Sequence, residues 1–174
     1  MPASTFSSLR TATQSEFLAR LGEVFEHSPW VAARAWDERP FADLAALHAA
    51  MLGVVRAAPT EEKLALIRAH PELAGREAAE GSLTVDSSGE QGRLGFTALS
   101  RVEFIRVQEL NRQYREKFGF PCIVALLLHA TRSSVLDEMQ QRLNNDPATE
   151  IENAIGQIGE ITLGRLRKIM GVAK

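Results

Sequence analysis

Residues 100–119, SRVEFIRVQELNRQYREKFG, decide the fold class. Ser100 and Glu103 have the spacing of a capping box, in which a serine and a glutamate satisfy each other's backbone N–H groups at a helix start. Behind them Phe104, Val107, Leu110, Tyr114 and Phe118 recur at intervals of three and four residues, which is one face of an α-helix. Gly119 and Pro121 end it, because glycine tolerates the left-handed cap and proline lacks the N–H that a continuing helix needs.

The same signals repeat outward in both directions. Thr13 and Glu16 form a second capping box, followed by a stripe of Phe17, Leu18, Leu21, Val24 and Phe25. Ser28-Pro29 restarts a short helix through Trp30 and Ala33. Leu44, Leu47, Met51, Val54 and Val55 form a stripe that Pro59 ends, and Thr60 caps a helix with Leu64 and Ile67. That helix must stop near Pro71, since a residue before proline avoids helical geometry. A polar, glycine-bearing connection runs from Gly75 to about Gly95. On the C-terminal side, Val135, Leu136, Met139 and Leu143 mark one helix. Ile151, Ala154, Ile155, Ile158, Ile161, Leu166 and Ile169 mark the last. Cys122 to His129 is apolar on every face and is expected to be a central helix. No alternating strand pattern or internal repeat appears. The expectation is an all-α, single-domain bundle of roughly eight helices spanning residues 1–174, since halves of such a chain would bury poor cores.

Composition narrows the function classes. Hydrophobic residues make up 45% and charged residues 24%, and the formal net charge is −2, so nothing calls for nucleic acid or an anionic membrane as partner. The longest uncharged apolar run, Cys122 to Leu128, is too short to span a bilayer. The start, MPASTFSSLR, lacks the basic-then-apolar order of a secretory signal, and the end, GVAK, is no peroxisomal or retention address. A single cysteine, Cys122, excludes an internal disulfide and fits a reducing compartment, with the cytoplasm as the expected location.

Four histidines are the obvious chemical candidates. His27 sits near Ser28-Pro29 at a helix end, and His48 and His129 adjoin apolar stripes, which favours structural roles. His70 differs. It lies between Ala69 and Pro71 where a helix must end, facing the longest polar connection in the chain. Context alone leaves it open to either reading. Ser87-Ser88-Gly89-Glu90-Gln91 has two compatible readings: Ser87 and Glu90 cap the next helix, or that helix start offers N–H groups to a polar ligand. No HExxH pair or metal spacing exists, and the glycines Gly89, Gly92 and Gly95 lack the strand and lysine of a phosphate loop. Arg165-Leu166-Arg167-Lys168 reads as a cationic final turn, from which Arg165 can face inward.

Several blocks together resemble one family. His70-Pro71-Glu72-Leu73-Ala74-Gly75 is similar to the signature of 2-oxo-4-hydroxy-4-carboxy-5-ureidoimidazoline (OHCU) decarboxylases. Leu83-Thr84, Ser87 and Glu90-Gln91 resemble a second block of that family. Leu110-Asn111, Tyr114 and Lys117-Phe118-Gly119-Phe120-Pro121 resemble a third. Ile158, Ile161 and Arg165-Leu166, and Trp36 with Arg39-Pro40-Phe41, resemble weaker blocks. The resemblance implies an all-α enzyme of urate breakdown that needs no metal or organic cofactor and forms homodimers.

Position by position, it implies that His70 is the catalytic histidine, with Pro71 beside the ligand. Ser87, Ser88, Gly89, Glu90 and Gln91 would be a substrate-contacting helix start, with Glu90 the functional carboxylate. Cys122, Ile123, Val124, Ala125 and Leu126 would contact ligand partly through their backbone, and Arg165 would be an arginine of the site. Two departures stand out: Cys122 replaces a common phenylalanine, and Val85-Asp86 replaces Ala-Glu. The alternatives are a non-catalytic all-α domain binding a ureido or imidazoline ligand, and a decarboxylase of a related compound.

Overall fold

The computed structural model describes residues 6–172. Residues 1–5 and 173–174, parts of the ends read for address signals, lie outside them. Among the described residues there are ten α-helices, two single 3-10 turns and no strand. The helices are α1 (Phe6–Arg10), α2 (Gln14–Leu21), α3 (Trp30–Ala35), α4 (Leu44–Ala57), α5 (Thr60–Arg68), α6 (Arg76–Glu80), α7 (Val85–Arg93), α8 (Arg101–Phe118), α9 (Arg132–Arg142) and α10 (Pro147–Met170). The 3-10 turns are Trp36–Glu38 and Leu126–Leu128. No helix among the described residues is long and apolar enough to cross a membrane. The chain divides into two compact units: residues up to Ala69 with those from Gly159 onward, and His70–Ile158.

In the first unit α3 packs against α2 and α4. The predicted stripes supply its core: Phe17, Leu21, Phe25, Val31, Leu47, Met51 and Val55 are all buried. The Thr13–Glu16 capping box is closed in both directions. Phe17 meets Trp36 edge-on at 5.3 Å and stacks near Phe41 at 6.3 Å, while the Arg39 guanidinium lies over the Trp36 ring. The Trp36…Phe41 block therefore holds packing. His48 is half-buried and donates from Nε2 to the Gly159 carbonyl at 2.9 Å, a structural histidine as read. His27 is exposed in a turn with φ of 47°. Pro59, rather than Thr60, occupies the cap of α5, which ends at Arg68 and leaves His70 at its exit.

In the second unit α8 packs on α9, with Val107, Leu110, Tyr114, Val135, Met139, Ile155 and Ile158 buried. The Ser100–Glu103 box is closed, and Gly119 takes the left-handed cap at φ 75°. Two expectations fail here. Cys122–His129 is not a central helix: residues 121–125 are irregular and only Leu126–Leu128 turn helically, although Cys122–Leu126 are buried as expected. Pro121 cannot supply a helical N–H, and β-branched Ile123 and Val124 tolerate extended backbone better than a helix start. The second failure concerns α7. Its cap is Thr84, whose hydroxyl accepts from the Ser87 N–H at 3.2 Å, so the helix begins three residues before the expected Ser87.

Candidate active site

His70 is 6% exposed and opens the second unit, directly after α5. The loop behind it is held from two sides. The Gln91 side chain accepts from the Ala74 N–H at 3.0 Å and donates to the Glu72 carbonyl at 3.2 Å. From α8, Asn111 donates to the Leu73 carbonyl at 3.0 Å and Gln108 to the Ala74 carbonyl at 2.8 Å. Arg115 pairs with the Glu72 carboxylate at 2.5 Å. Ala74 sits at φ 46°, a left-handed conformation that costs a non-glycine residue about 1–3 kcal/mol and so must be held in place. At Gly75 a Cβ would stand 2.8 Å from that of Glu72, which explains the glycine.

Along α7 the candidate residues separate by face. Ser87 and Gln91, one turn apart, are buried; Glu90 is half-buried; Ser88 and Gly89 are exposed. The Ser88 N–H already bonds the Thr84 carbonyl at 2.8 Å, so from that point on the helix start has no free donors to offer. That overturns the expected cradle of N–H groups after Ser87. It also removes the capping role for Glu90, which is the sixth residue of the helix.

Three backbone polar groups of the Cys122–Leu126 segment are met by remote side chains. Arg142 donates to the Ile123 carbonyl at 2.6 Å, Gln157 accepts from the Ala125 N–H at 2.7 Å, and Arg93 donates to the Leu126 carbonyl. Arg93 also reaches the His129 carbonyl at 3.1 Å. Arg142 in turn pairs with Glu150 at 2.6 Å and Glu138 at 3.0 Å, and Tyr114 donates to Glu150. Burial opposes charge on Glu150. Hydrogen bonds from Asn145 and Tyr114, with the Arg142 charge, nevertheless hold its carboxyl below the ordinary range. His129 joins this network, bonding Ser134 at 2.9 Å and Glu138 at 3.0 Å.

Burial pushes the Cys122 thiol up to about 12. At pH 8 that leaves only about one thiol in ten thousand as the reactive thiolate. Native protein should therefore resist a disulfide reagent at pH 8 and react at one equivalent on unfolding. Rapid labelling of the folded protein would contradict the buried placement.

Arg165 lies in the first unit and is 4% exposed. It donates to Glu26 at 2.7 Å and to the Val24 carbonyl at 3.3 Å. Glu26 is itself buried, so the guanidinium is charge-compensated within its own unit. Among the described residues no group of three His, Cys, Asp or Glu side chains stands close enough to hold a metal ion.

These anchored segments are those of the family-like blocks, and comparison with known proteins agrees. A family model described as OHCU decarboxylase matches residues 10–167. The chain belongs to that family. It is 37% identical over 156 residues to the mouse 2-oxo-4-hydroxy-4-carboxy-5-ureidoimidazoline decarboxylase, covering 90% of this chain and 87% of that one. Identity to the relative from Amia calva is 35% over 162 residues, covering 93% and 92%. Among solved structures, that of an (S)-allantoin synthase matches with a TM-score of 0.77 at 28% identity, over 95% of this chain and 54% of that chain. A crystal structure of OHCU decarboxylase in the presence of (S)-allantoin has the same fold, with a TM-score of 0.70 at 21% identity over 87% of this chain and 98% of that one.

Within the family blocks, the second unit brings the His70 loop, α7 and the Cys122–Leu126 segment together through named bonds. Sequence reading missed the residues that do the tying: Arg93, Gln108, Asn111, Arg142 and Gln157, and Glu26 for Arg165. One signal was present. Arg142 falls three residues after Met139 on an apolar stripe, and Glu150 four before Ala154, so each places a charge on a buried face.

Proposed function

We propose that this chain decarboxylates 2-oxo-4-hydroxy-4-carboxy-5-ureidoimidazoline to (S)-allantoin in urate breakdown, with His70 and Glu90 as its catalytic pair. The supporting observation is the double tether of α7. Gln91 fixes it to the loop behind His70, and Arg93, two residues on, fixes it to the end of the Cys122–Leu126 segment. One short helix thus sets Glu90 in a fixed frame with both other family-like segments of this unit.

The chemistry needs little from the protein beyond placement. In this compound the carboxylate sits on a carbon that also bears a hydroxyl and adjoins a C=N bond. When the carbon–carboxylate bond breaks, its electron pair forms a carbon–carbon double bond, and the C=N pair moves to nitrogen, which takes a proton. The hydroxyl then loses its proton as a carbonyl forms, and the neighbouring carbon takes a proton on one face. The substrate is its own electron sink, so the protein supplies orientation and a stereochemically placed proton.

His70 is the donor to that carbon, and Glu90 orients His70 and accepts ring or ureido N–H groups. Pro71 and Ser87 line the polar edge of the ligand, and Gln91, on the same buried face of α7 as Ser87, holds the His70 loop behind them, whereas Ser88 and Gly89 are exposed. Cys122, Ile123, Val124, Ala125 and Leu126 supply an apolar wall for the departing carbon dioxide. The family resemblance assigns Arg165 to ring or ureido oxygens. Its pairing with Glu26 suits that contact, whereas a bare cation clamped on the carboxylate would stabilise the ground state and oppose reaction.

The test makes the substrate in situ from urate with the two preceding enzymes and follows product chirality by circular dichroism, with no metal or cofactor added. Rapid appearance of (S)-allantoin is expected. Only the slow racemic background, from folded protein, would overturn the activity in favour of a binding domain. Turnover of another imidazoline carboxylate in its place would point to a related enzyme.

The reading extends to a cytoplasmic homodimer. On α8, Val102 is 79% and Ile105 57% exposed one turn apart, an apolar face suited to a second copy. Sedimentation equilibrium should give twice the chain mass, and a monomer at micromolar concentration would remove that part.

A further inference from the structure

We infer that Asn111 and Gln108 of α8, together with Gln91, are positioning residues for His70; the inference rests on the catalytic assignment of His70 above. Three successive carbonyls behind the histidine, those of Glu72, Leu73 and Ala74, each accept a side-chain amide hydrogen, from Gln91, Asn111 and Gln108 respectively. The Ala74 N–H is taken as well, by Gln91. Such density, four side-chain bonds on three residues, has a cause, because Ala74 is held at φ 46° and relaxes to commoner geometry if released. A loop of this size has no ladder of its own to resist that relaxation.

The chain leaves α5 at Ala69, so His70 stands between the end of that helix and this loop. Pro71 restricts the backbone between them and passes any shift of the loop to the imidazole. A proton donor displaced by about 1 Å loses on the order of 100-fold in rate. Asn111 is the central member: it is 2% exposed, and it belongs to the Leu110-Asn111…Tyr114 block whose role the catalytic chemistry leaves unused. Tyr114, one turn further along, serves the Glu150 network instead, so the two polar residues of that block brace different segments.

The experiment compares wild type, His70→Ala, Asn111→Ala, Gln108→Ala and the core variant Val31→Ala in the chirality assay, each also melted by circular dichroism. Asn111→Ala should lower kcat about 10- to 100-fold with KM within about threefold of wild type. It should also lower the enantiomeric excess of the product, after subtraction of the uncatalysed background, because a loosened donor reaches both faces. Gln108→Ala, whose half-buried side chain is less essential to folding, should show the same pattern at smaller size and serves if Asn111→Ala does not fold. Val31→Ala should lower Tm with kcat unchanged, showing that lost stability alone does not mimic the effect.

If His70→Ala is inactive while both amide variants keep wild-type kcat and enantiomeric excess, the positioning role is overturned and the catalytic reading stands. If His70→Ala keeps full activity, the catalytic reading falls and takes the positioning role with it.

Discussion

His70→Ala is expected to slow (S)-allantoin formation by about 10²- to 10⁴-fold, the range spanned by removal of a placed acid or base. The remaining rate would come from orientation of the ligand by α7 and the Cys122–Leu126 segment, which the substitution does not touch. KM should change little, because the imidazole acts on the transition state more than on the bound substrate. Stability is expected to hold. His70 lies two residues past the end of α5, and the loop behind it is bonded through Glu72, Leu73 and Ala74. Steady-state kinetics beside a melting curve check both halves. A variant that melts early and is inactive for that reason would contradict the holding of this loop through Glu72, Leu73 and Ala74.

Arg142→Leu carries the largest expected loss of stability. It leaves the fully buried Glu150 carboxylate without its cation, and it also strips the Ile123 carbonyl and Glu138 of a donor. Breaking one side of such a buried pair costs about 3–5 kcal/mol. For a chain of this size, Tm should then fall by roughly 10 °C. The double variant Arg142→Leu, Glu150→Leu should recover much of this, since removing both charges spares the penalty of an orphan. The pH dependence supplies a second check. The folded-state carboxyl of Glu150 is held below its unfolded value, so its contribution is present above the ordinary carboxylate range and is lost as pH falls through the folded value. Wild-type Tm should decline in acid, and the double variant should decline less. Equal acid sensitivity in both would place the titration elsewhere.

Much of the fold was legible because local chemistry and burial agree along most of the chain. The Thr13–Glu16 and Ser100–Glu103 boxes, the stripes of α4, α9 and α10, that of α8 from Val107 onward with Phe104 left exposed, and the stop before Pro71 formed where three- and four-residue spacing put them. Cys122–His129 misled because periodicity reports burial, and a segment buried on all sides looks the same whether helical or extended. What separates the cases is where its backbone bonds go, and here they go to Arg93, Arg142 and Gln157, all remote in sequence.

The start of α7 was misplaced for a related reason. Thr84 and Ser87 are both good caps three residues apart, and only the bond from the Ser87 N–H to Thr84 chooses between them. Of the candidate site, the place of His70 just past a forced helix end was legible, while its role came from the family resemblance alone. The bracing side chains were not, because an amide on α8 reaching a carbonyl more than thirty residues away leaves no local trace.

The irregular Cys122–Leu126 strip has a consequence for how this protein can diverge. Three of its main-chain groups are pinned by arginine and glutamine side chains that lie elsewhere, and the apolar side chains from Ile123 to Leu126 take no part in those bonds. One mutation at Val124 alters the girth of this strip without redrawing the polar bonds of its main chain. On the proposed reading of this strip as an apolar wall, ligand size then becomes a trait selection can adjust separately from folding.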